Sequence, residues 1–167
     1  MIDFQMLGFN LYTFTFVIFF AILIAISIID ARTMEIPIYL NISIFILGIF
    51  SMWTVGGLTI LERIIGFFCV SLLMFFIVLA VPGGFGGGDI KLMAAAGFFL
   101  GWKLTIVAFF IGLVFGGAYG AILLIGKKKG RKDHFAFGPF LSIGLIAAAI
   151  IGNQLLAWYL GAARFYS

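Results

Sequence analysis

Long uncharged stretches alternate with short segments that carry the charges along this chain. Five of the uncharged runs are 23 to 29 residues long: Phe4–Ile29, Ile36–Leu61, Ile64–Gly88, Leu104–Gly126 and Phe135–Ala163. About 20 apolar residues suffice for a helix to cross roughly 30 Å of hydrocarbon, so each run can form a membrane span. The pattern therefore predicts a polytopic, mostly helical membrane protein.

A sixth uncharged run, Leu92–Trp102, has only 11 residues. At about 1.5 Å per residue it covers roughly 16 Å, which is too short for a span on its own. It can cross the membrane only if its helix begins earlier, near Asp89, and continues past Lys103. With that extension we expect an all-α fold of about six transmembrane helices in one membrane-embedded domain, residues 1–167.

The composition excludes most soluble classes of protein. Hydrophobic residues make up 65% of the 167 residues and charged residues only 10%, whereas an average soluble domain is about 25% charged. A soluble domain of this size could not bury so much apolar surface. A soluble enzyme, a disordered tail and a nucleic-acid-binding protein are therefore excluded, and the net charge of +4 is interpreted as an orientation signal.

The positions of Lys and Arg predict how the chain is oriented. With six spans and the N-terminus outside, the cytoplasmic connections hold seven basic residues: Arg32, Lys91, Lys127, Lys128, Lys129, Arg131 and Lys132. The outer connections hold three: Arg63, Lys103 and Arg164. If the short run does not cross, four basic residues would be inside and six outside. The positive-inside bias therefore favours six spans. We expect a multi-pass protein of the cytoplasmic membrane with its N-terminus outside.

Two aspartates stand out because charges near membrane depth are costly and mark functional sites. Asp30 follows the first long run and Asp89 follows the third, two spans later. Two crossings return the chain to the same side, so both carboxylates lie at one interface, the cytoplasmic one on the count above. Two converging carboxylates share a proton, as an aspartyl protease requires. The alternative is that they are interfacial end-caps paired with Arg32 and Lys91.

Glycine is concentrated just before Asp89. The segment Pro82–Gly88 holds five glycines in seven positions, and each costs about 1 kcal/mol relative to Ala in a helix. We expect irregular backbone that a peptide substrate can approach closely, with a plain flexible loop as the alternative. A phosphate-binding loop is excluded because no Gly-Lys-Ser/Thr follows at the required spacing.

Three segments, in order along the chain, resemble motifs of the type IV prepilin peptidases, which belong to the membrane aspartyl proteases that carry Gly-x-Gly-Asp. Gly86–Leu92 is similar to the Gly-x-Gly-Asp-x-Lys motif. Asp30–Pro37 resembles the first aspartate of the family, followed by a spacer and Ile/Leu-Pro. Phe137–Gly144 resembles the C-terminal Phe-Gly-Pro-Phe-Leu-x-x-Gly segment, so the matches extend over most of the chain.

The resemblance implies an aspartic endopeptidase with Asp30 and Asp89 as its catalytic pair. Its substrates would be prepilin-like membrane proteins, namely pilins, pseudopilins or preflagellins, with a short basic leader before a hydrophobic helix. Members of the family cut at the cytoplasmic face, after a glycine that precedes this helix. No metal ion or organic cofactor is implied. The particular substrate and the oligomeric state are left open.

The same motifs imply six residues that bind substrate or shape the site: Gly86, Gly88, Lys91, Pro37, Gly138 and Pro139. The two glycines before Asp89 would let the substrate backbone approach its carboxylate. The lysine would tune an aspartate or bind the leader or lipid, or simply extend to the membrane surface. Pro37 suits the first turn of the second helix, and the Gly-Pro pair would shape the entry to the last helix. His134 is expected at the interface rather than in catalysis.

The chain departs from the larger bacterial members of that family. Ile38 follows Pro37 where many members have Asn or Asp. Those members also carry an N-terminal cytoplasmic part with a cysteine-rich zinc region, and they methylate the new N-terminus of the product. This chain begins almost directly with its first span and has one cysteine, Cys69. We therefore expect cleavage without N-methylation, as in compact peptidases of tight-adherence pili or of archaeal preflagellins.

Three other functions fit parts of the pattern. A different membrane aspartyl protease would cleave unrelated signal or membrane segments. A small transporter or channel would use the two aspartates as an ion site at a broken helix, and it predicts an inverted-repeat hydropathy pattern that this sequence does not show. A non-catalytic assembly subunit would keep the fold alone.

Overall fold

A computed structural model describes residues 4–80, 85–125 and 136–164, and these form six helices without a strand. In chain order the helices are α1 Phe4–Thr33, α2 Ile38–Thr54, α3 Ile60–Ala80, α4 Gly87–Leu100, α5 Trp102–Ile125 and α6 Gly138–Arg164. The prediction of an all-α membrane protein is confirmed. The basic cluster Lys127–Lys132, His134 and the glycine-rich residues 82–84 lie outside the described residues.

Four of the helices are long and apolar enough to cross a bilayer. The candidate spans are Leu11–Thr33, Ile60–Ala80, Trp102–Ile122 and Gly138–Tyr159. α2 is a shorter apolar helix of 17 residues, and α4 has 14 residues. At about 1.5 Å per residue α4 is roughly 21 Å long, which is less than the thickness of the hydrocarbon core.

The sequence predicted that α4 crosses the membrane only if it begins near Asp89 and continues past Lys103, and only the first of these holds. The helix begins at Gly87, close to Asp89 as required, but it ends at Leu100 and does not continue past Lys103. Gly101 has a φ of 77°, and its N–H donates to the Gly97 carbonyl at 2.9 Å. This backbone conformation suits glycine and stops the helix before α5 begins.

α4 forms the centre of the bundle. Every residue of Leu92–Leu100 is buried, and the helix packs against α2, α3, α5 and α6. The ring of Phe99 also stacks on Phe19 of α1, with 4.3 Å between the ring centroids. Many large apolar side chains on the surrounding helices are exposed, including Phe76 and Ile122. An apolar exterior around an apolar centre is the arrangement expected in lipid.

α3 and α4 approach each other backbone to backbone. A Cβ atom built on Gly66 would overlap the carbonyl oxygen of Gly97, and one built on Gly97 would overlap that of Gly66. Small residues at such crossings let transmembrane helices pack closely. The Gly66–Gly97 contact therefore fixes how α4 sits against α3, and with it the depth of the helix that carries Asp89.

Arg63 lies inside the bundle and not in an exposed outer connection. It was therefore wrongly counted among the basic residues of the outer connections. It belongs to α3, and the residue is 1% exposed. Its Nη1 donates to the Ser51 hydroxyl at 2.7 Å and to three carbonyls, those of Gly48, Phe98 and Phe99. The carbonyls of Phe98 and Phe99 lie at the C-terminal end of α4, where a cation is favourable. Because of these contacts the arginine ties three helices together.

Candidate active site

Asp30 lies near the C-terminus of α1, and it is buried in the protein. The residue is 4% exposed. The helix stops because Met34 adopts a left-handed conformation, with a φ of 55°, and its N–H donates to the Asp30 carbonyl oxygen at 2.8 Å. The Asp30 carboxylate accepts a hydrogen bond from the N–H of Gly138, with an N to Oδ2 distance of 2.9 Å. The first and last helices therefore meet at this carboxylate.

Asp89 occupies the third position of α4 and is 6% exposed. Its Oδ2 accepts a hydrogen bond from the Gly86 N–H at 2.9 Å, while its own N–H donates to the Gly86 carbonyl at 3.1 Å. This reciprocal pair caps the helix, and the helix dipole favours a carboxylate at the N-terminus. Gly87 and Gly88 are the first two helical residues, so the irregular backbone expected over the whole glycine cluster does not include them.

The two carboxylates share one cleft of about 230 Å³. Its lining residues are Asp30, Met34, Glu35, Ile36, Gly86, Gly87, Gly88 and Asp89. Asp89 lies outside the four candidate spans. The pKa of its carboxyl is raised to about 6, chiefly by burial; the Gly86 N–H lowers it, and the negative charge of Asp30 adds a smaller upward contribution. A second carboxylate nearby disfavours the charged form of the first, so the two groups oppose each other's ionisation.

Ile36 packs between the two halves of the site. A Cβ atom built on Gly88 would lie 2.9 Å from the Ile36 Cβ, and one built on Gly138 would lie 3.1 Å from its Cδ1. The same Cβ on Gly138 would come within 2.6 Å of the Asp30 Oδ2. Both positions therefore need glycine for space. Ile36, in the α1–α2 connection, packs against the segment before Asp89 and against the start of α6.

The structure brings five of the sequence-predicted residues together: Asp30, Asp89, Gly86, Gly88 and Gly138. The other three are placed around them. Pro37 is the N-cap of α2, one residue before its first turn, and Pro139 is the second residue of α6; both are half-buried. Lys91 is exposed. Within the described residues neither aspartate forms an ion pair with Arg32 or Lys91, which disfavours the end-cap alternative.

Sequence reasoning missed several neighbours of the pair. Met34, Glu35 and Ile36 line the cleft or pack beneath it, and the buried amide of Asn41 donates to the Gly88 carbonyl at 3.3 Å. Asn41 could have been noticed in the sequence, because an amide side chain inside the long uncharged run Ile36–Leu61 is unusual. Ile36 had none, because nothing distinguishes one isoleucine from the many others.

Two buried carboxyl groups in one cleft can perform general acid and base chemistry on a bound water molecule. One carboxylate can accept a proton from water while the other carboxyl donates a proton to a carbonyl oxygen. Among the described residues, no group of three or more His, Cys, Asp or Glu side chains is placed to ligate a metal ion.

Fold and site together define a multi-pass helical membrane protein with a pair of buried aspartates in a cleft at one end of the bundle. The type IV leader peptidase family matches residues 17–121, which is more than half of the chain. The chain belongs to this family.

Curated relatives agree with that assignment. The prepilin leader peptidase/N-methyltransferase of Bacillus subtilis is 32% identical over 162 residues, covering 92% of this chain and 62% of the relative. The protein of the same name from Aeromonas salmonicida is 27% identical over 144 residues, covering 83% of this chain and 50% of the relative. The chain thus spans between half and two thirds of the length of these relatives. No solved structure matches it significantly.

Proposed function

We propose that this chain is an aspartic endopeptidase that removes the short basic leader from type IV prepilin-like membrane proteins. The observation that carries the proposal is the convergence of Asp30 and Asp89 in one cleft, in a chain that belongs to the type IV leader peptidase family. Relatives that match most of this chain are named prepilin leader peptidase/N-methyltransferase, and the buried acid pair is suited to the chemistry of peptide cleavage.

In the proposed reaction a water molecule lies between the two carboxyl groups. The ionised carboxylate takes a proton from the water, whose oxygen bonds to the carbonyl carbon of the scissile peptide, while the protonated carboxyl donates its proton to the carbonyl oxygen. The tetrahedral intermediate then collapses. Its C–N bond breaks as the leaving amine takes up the proton that came from the water, and a hydroxyl group of the intermediate returns its proton to the other carboxylate, which restores the starting protonation of the pair. The raised pKa of Asp89 supports a pair that retains one proton closer to neutral pH than a free carboxyl group does.

The glycines beside Asp89 give an extended peptide room to lie against the backbone. No described residue lies within 4 Å of a Cβ atom built on Gly87, and Gly86 to Gly88 line the cleft. Backbone groups without side chains allow a substrate strand to approach the carboxylates closely. We propose that the residues around the scissile bond bind here after the end of the substrate helix has unwound.

We propose that the cleft faces the cytoplasm and that the chain lies in the cytoplasmic membrane. Arg32 and Lys91 are exposed close to the two aspartates. The basic residues Lys127–Lys132 fall in the sequence just before α6, whose first residue contacts Asp30. Lys103, near the other end of α4, is paired with Glu62 at 3.4 Å. This distribution supports a cytoplasmic cleft, since the positive-inside bias favours basic residues in cytoplasmic connections.

We propose that these 167 residues carry out leader cleavage and not N-methylation. They contain one cysteine, whereas a cysteine-rich zinc region needs several thiolates. The mass of the new N-terminus of the product distinguishes a methylated amine from a free one.

The experiment that tests the proposal is the cleavage of a prepilin-like substrate by the purified protein in lipid. We expect one cut directly after the glycine that precedes the hydrophobic helix, with an unmethylated product identified by mass spectrometry. A matched substrate with valine in place of that glycine should be cut much more slowly. Absence of product from the first substrate, in protein that remains folded, would contradict the proposed function.

A further inference from the structure

A buried amide on α2 contacts the backbone next to Asp89. Asn41 is in the first turns of α2 and is 3% exposed. Its Nδ2 donates to the carbonyl oxygen of Gly88 at 3.3 Å, and Gly88 immediately precedes Asp89. A carbonyl oxygen has two lone pairs, so this hydrogen bond can add to the one made within the helix. The amide therefore fixes the Gly88–Asp89 peptide from outside α4.

This position is an unfavourable one for asparagine. Asn41 lies inside an apolar helix, where asparagine has a lower helix propensity than leucine or alanine. Its Oδ1 atom is buried and, among the described residues, accepts no hydrogen bond. A buried unpaired acceptor costs free energy that an apolar side chain of similar size would avoid. Within the part of the chain that the structure describes, the hydrogen bond to the Gly88 carbonyl offsets this cost.

Two hydrogen bonds then hold Asp89 and the peptide that precedes it. The Gly86 N–H holds its carboxylate, and the Asn41 amide holds the peptide on its N-terminal side. Asn41 is not among the residues that line the cleft, so substrate in the cleft would not touch it. We propose that Asn41 is a positioning residue that sets the orientation of Asp89 for peptide cleavage, an inference that rests on the proposed function.

The first test replaces the amide with an apolar side chain of similar size. Asn41→Leu removes the hydrogen bond to Gly88 while filling the space, so the carboxylate loses its fixed orientation but substrate contacts remain. We expect kcat for prepilin cleavage to fall about 10- to 100-fold with KM within about twofold, since small misplacements of catalytic groups have effects of this size. The thermal stability of each variant is measured in the same lipid preparation.

A second variant separates positioning from packing. In Asn41→Asp the ionised side chain cannot donate to the Gly88 carbonyl, but the protonated acid can donate its O–H. We expect the activity of Asn41→Asp, divided by that of the unsubstituted protein at the same pH, to rise at least about threefold as pH falls through the carboxyl range. Asn41→Leu should show no such rise. Asn153→Asp, an exposed change on α6, is the matched control and should keep a constant ratio.

The outcomes distinguish this inference from the function on which it rests. An unsubstituted protein that cleaves no prepilin contradicts the proposed function itself. An active protein whose kcat is unchanged by Asn41→Leu contradicts the positioning role. If Asn41→Leu does not fold, the pH profile of Asn41→Asp decides, and a constant activity ratio across pH overturns the inference.

Discussion

At the scale of single residues, the position of each carboxylate depends on a backbone N–H supplied by a glycine. Gly138 donates to Asp30 and Gly86 donates to Asp89, both at 2.9 Å. A backbone donor at the start of a helix is rigid, so it orients a carboxylate more closely than a flexible side chain would. At Gly138 the absence of a side chain is itself required, because a Cβ atom would lie 2.6 Å from the Asp30 Oδ2.

We predict that Gly138→Ala lowers the rate of prepilin cleavage about 100-fold, because the added methyl group displaces the Asp30 carboxylate and small displacements have effects of this size. The measurement is kcat in purified protein that retains its thermal stability. The matched control is Gly161→Ala on the same helix, where none of the residues that the structure describes lies within 4 Å of the added carbon. Equal rates for the two variants would show that the Gly138 contact does not matter.

The two aspartates could be singled out from the sequence, because a carboxylate at the end of an apolar run is costly without a function. The contacts that hold these two aspartates in place could not be predicted from the sequence. Asn41 and Gly88 are 47 positions apart in the sequence, and Ile36 reaches Gly88 and Gly138 only through the packing of three separate segments. Such contacts depend on tertiary packing, which the spacing of charged residues does not reveal.

At the scale of helices, α4 is set in place by its neighbours. Gly97 meets Gly66 of α3 without room for a side chain, and Arg63 donates to the carbonyls of Phe98 and Phe99 at the end of the helix. The uncharged run from Leu92 predicted a helix here, but its end could not be predicted. Gly101 stops the helix through its backbone conformation, and the sequence pattern alone does not distinguish a terminating glycine from a packing glycine.

We predict that Gly66→Ala destabilises the protein by about 1–3 kcal/mol, because the methyl group must separate α3 from α4 or distort both helices. The measurement is the midpoint of thermal unfolding in detergent. Gly117→Ala on α5 is the matched control, since its added carbon has no described residue within 4 Å, and it should be neutral or slightly stabilising. Unchanged stability in Gly66→Ala would contradict the close packing of α3 and α4.

At the scale of the whole molecule, a short buried helix runs between the cleft and the opposite end of the bundle. The aspartates lie at its N-terminal end, and the Glu62–Lys103 pair lies near its C-terminal end. The helical membrane class could be predicted from the charge-free runs, since hydrocarbon admits few other structures. The set of basic residues in exposed outer connections could not be predicted correctly, because Arg63 is buried and does not mark such a connection.

We predict that the cleft is reached from the cytoplasm. With Cys69 replaced by alanine, a cysteine at exposed Glu35 beside the cleft should react with a membrane-impermeant thiol reagent only from the cytoplasmic side. A cysteine at Lys103, whose side chain is 56% exposed at the other end, should react only from outside. The reverse pattern would place the site on the outer face and contradict the proposed orientation.

The most direct measurement is the rate of prepilin cleavage by Asp30→Asn and Asp89→Asn, each in protein with unchanged abundance and thermal stability. If the pair acts as one acid and base unit, each variant loses at least about 100-fold in kcat. The double variant then loses no more than the worse of the two, because residues that act together are not additive. Glu62→Gln, at the far end of the bundle, should cleave at the normal rate. Normal cleavage by either aspartate variant would contradict the account.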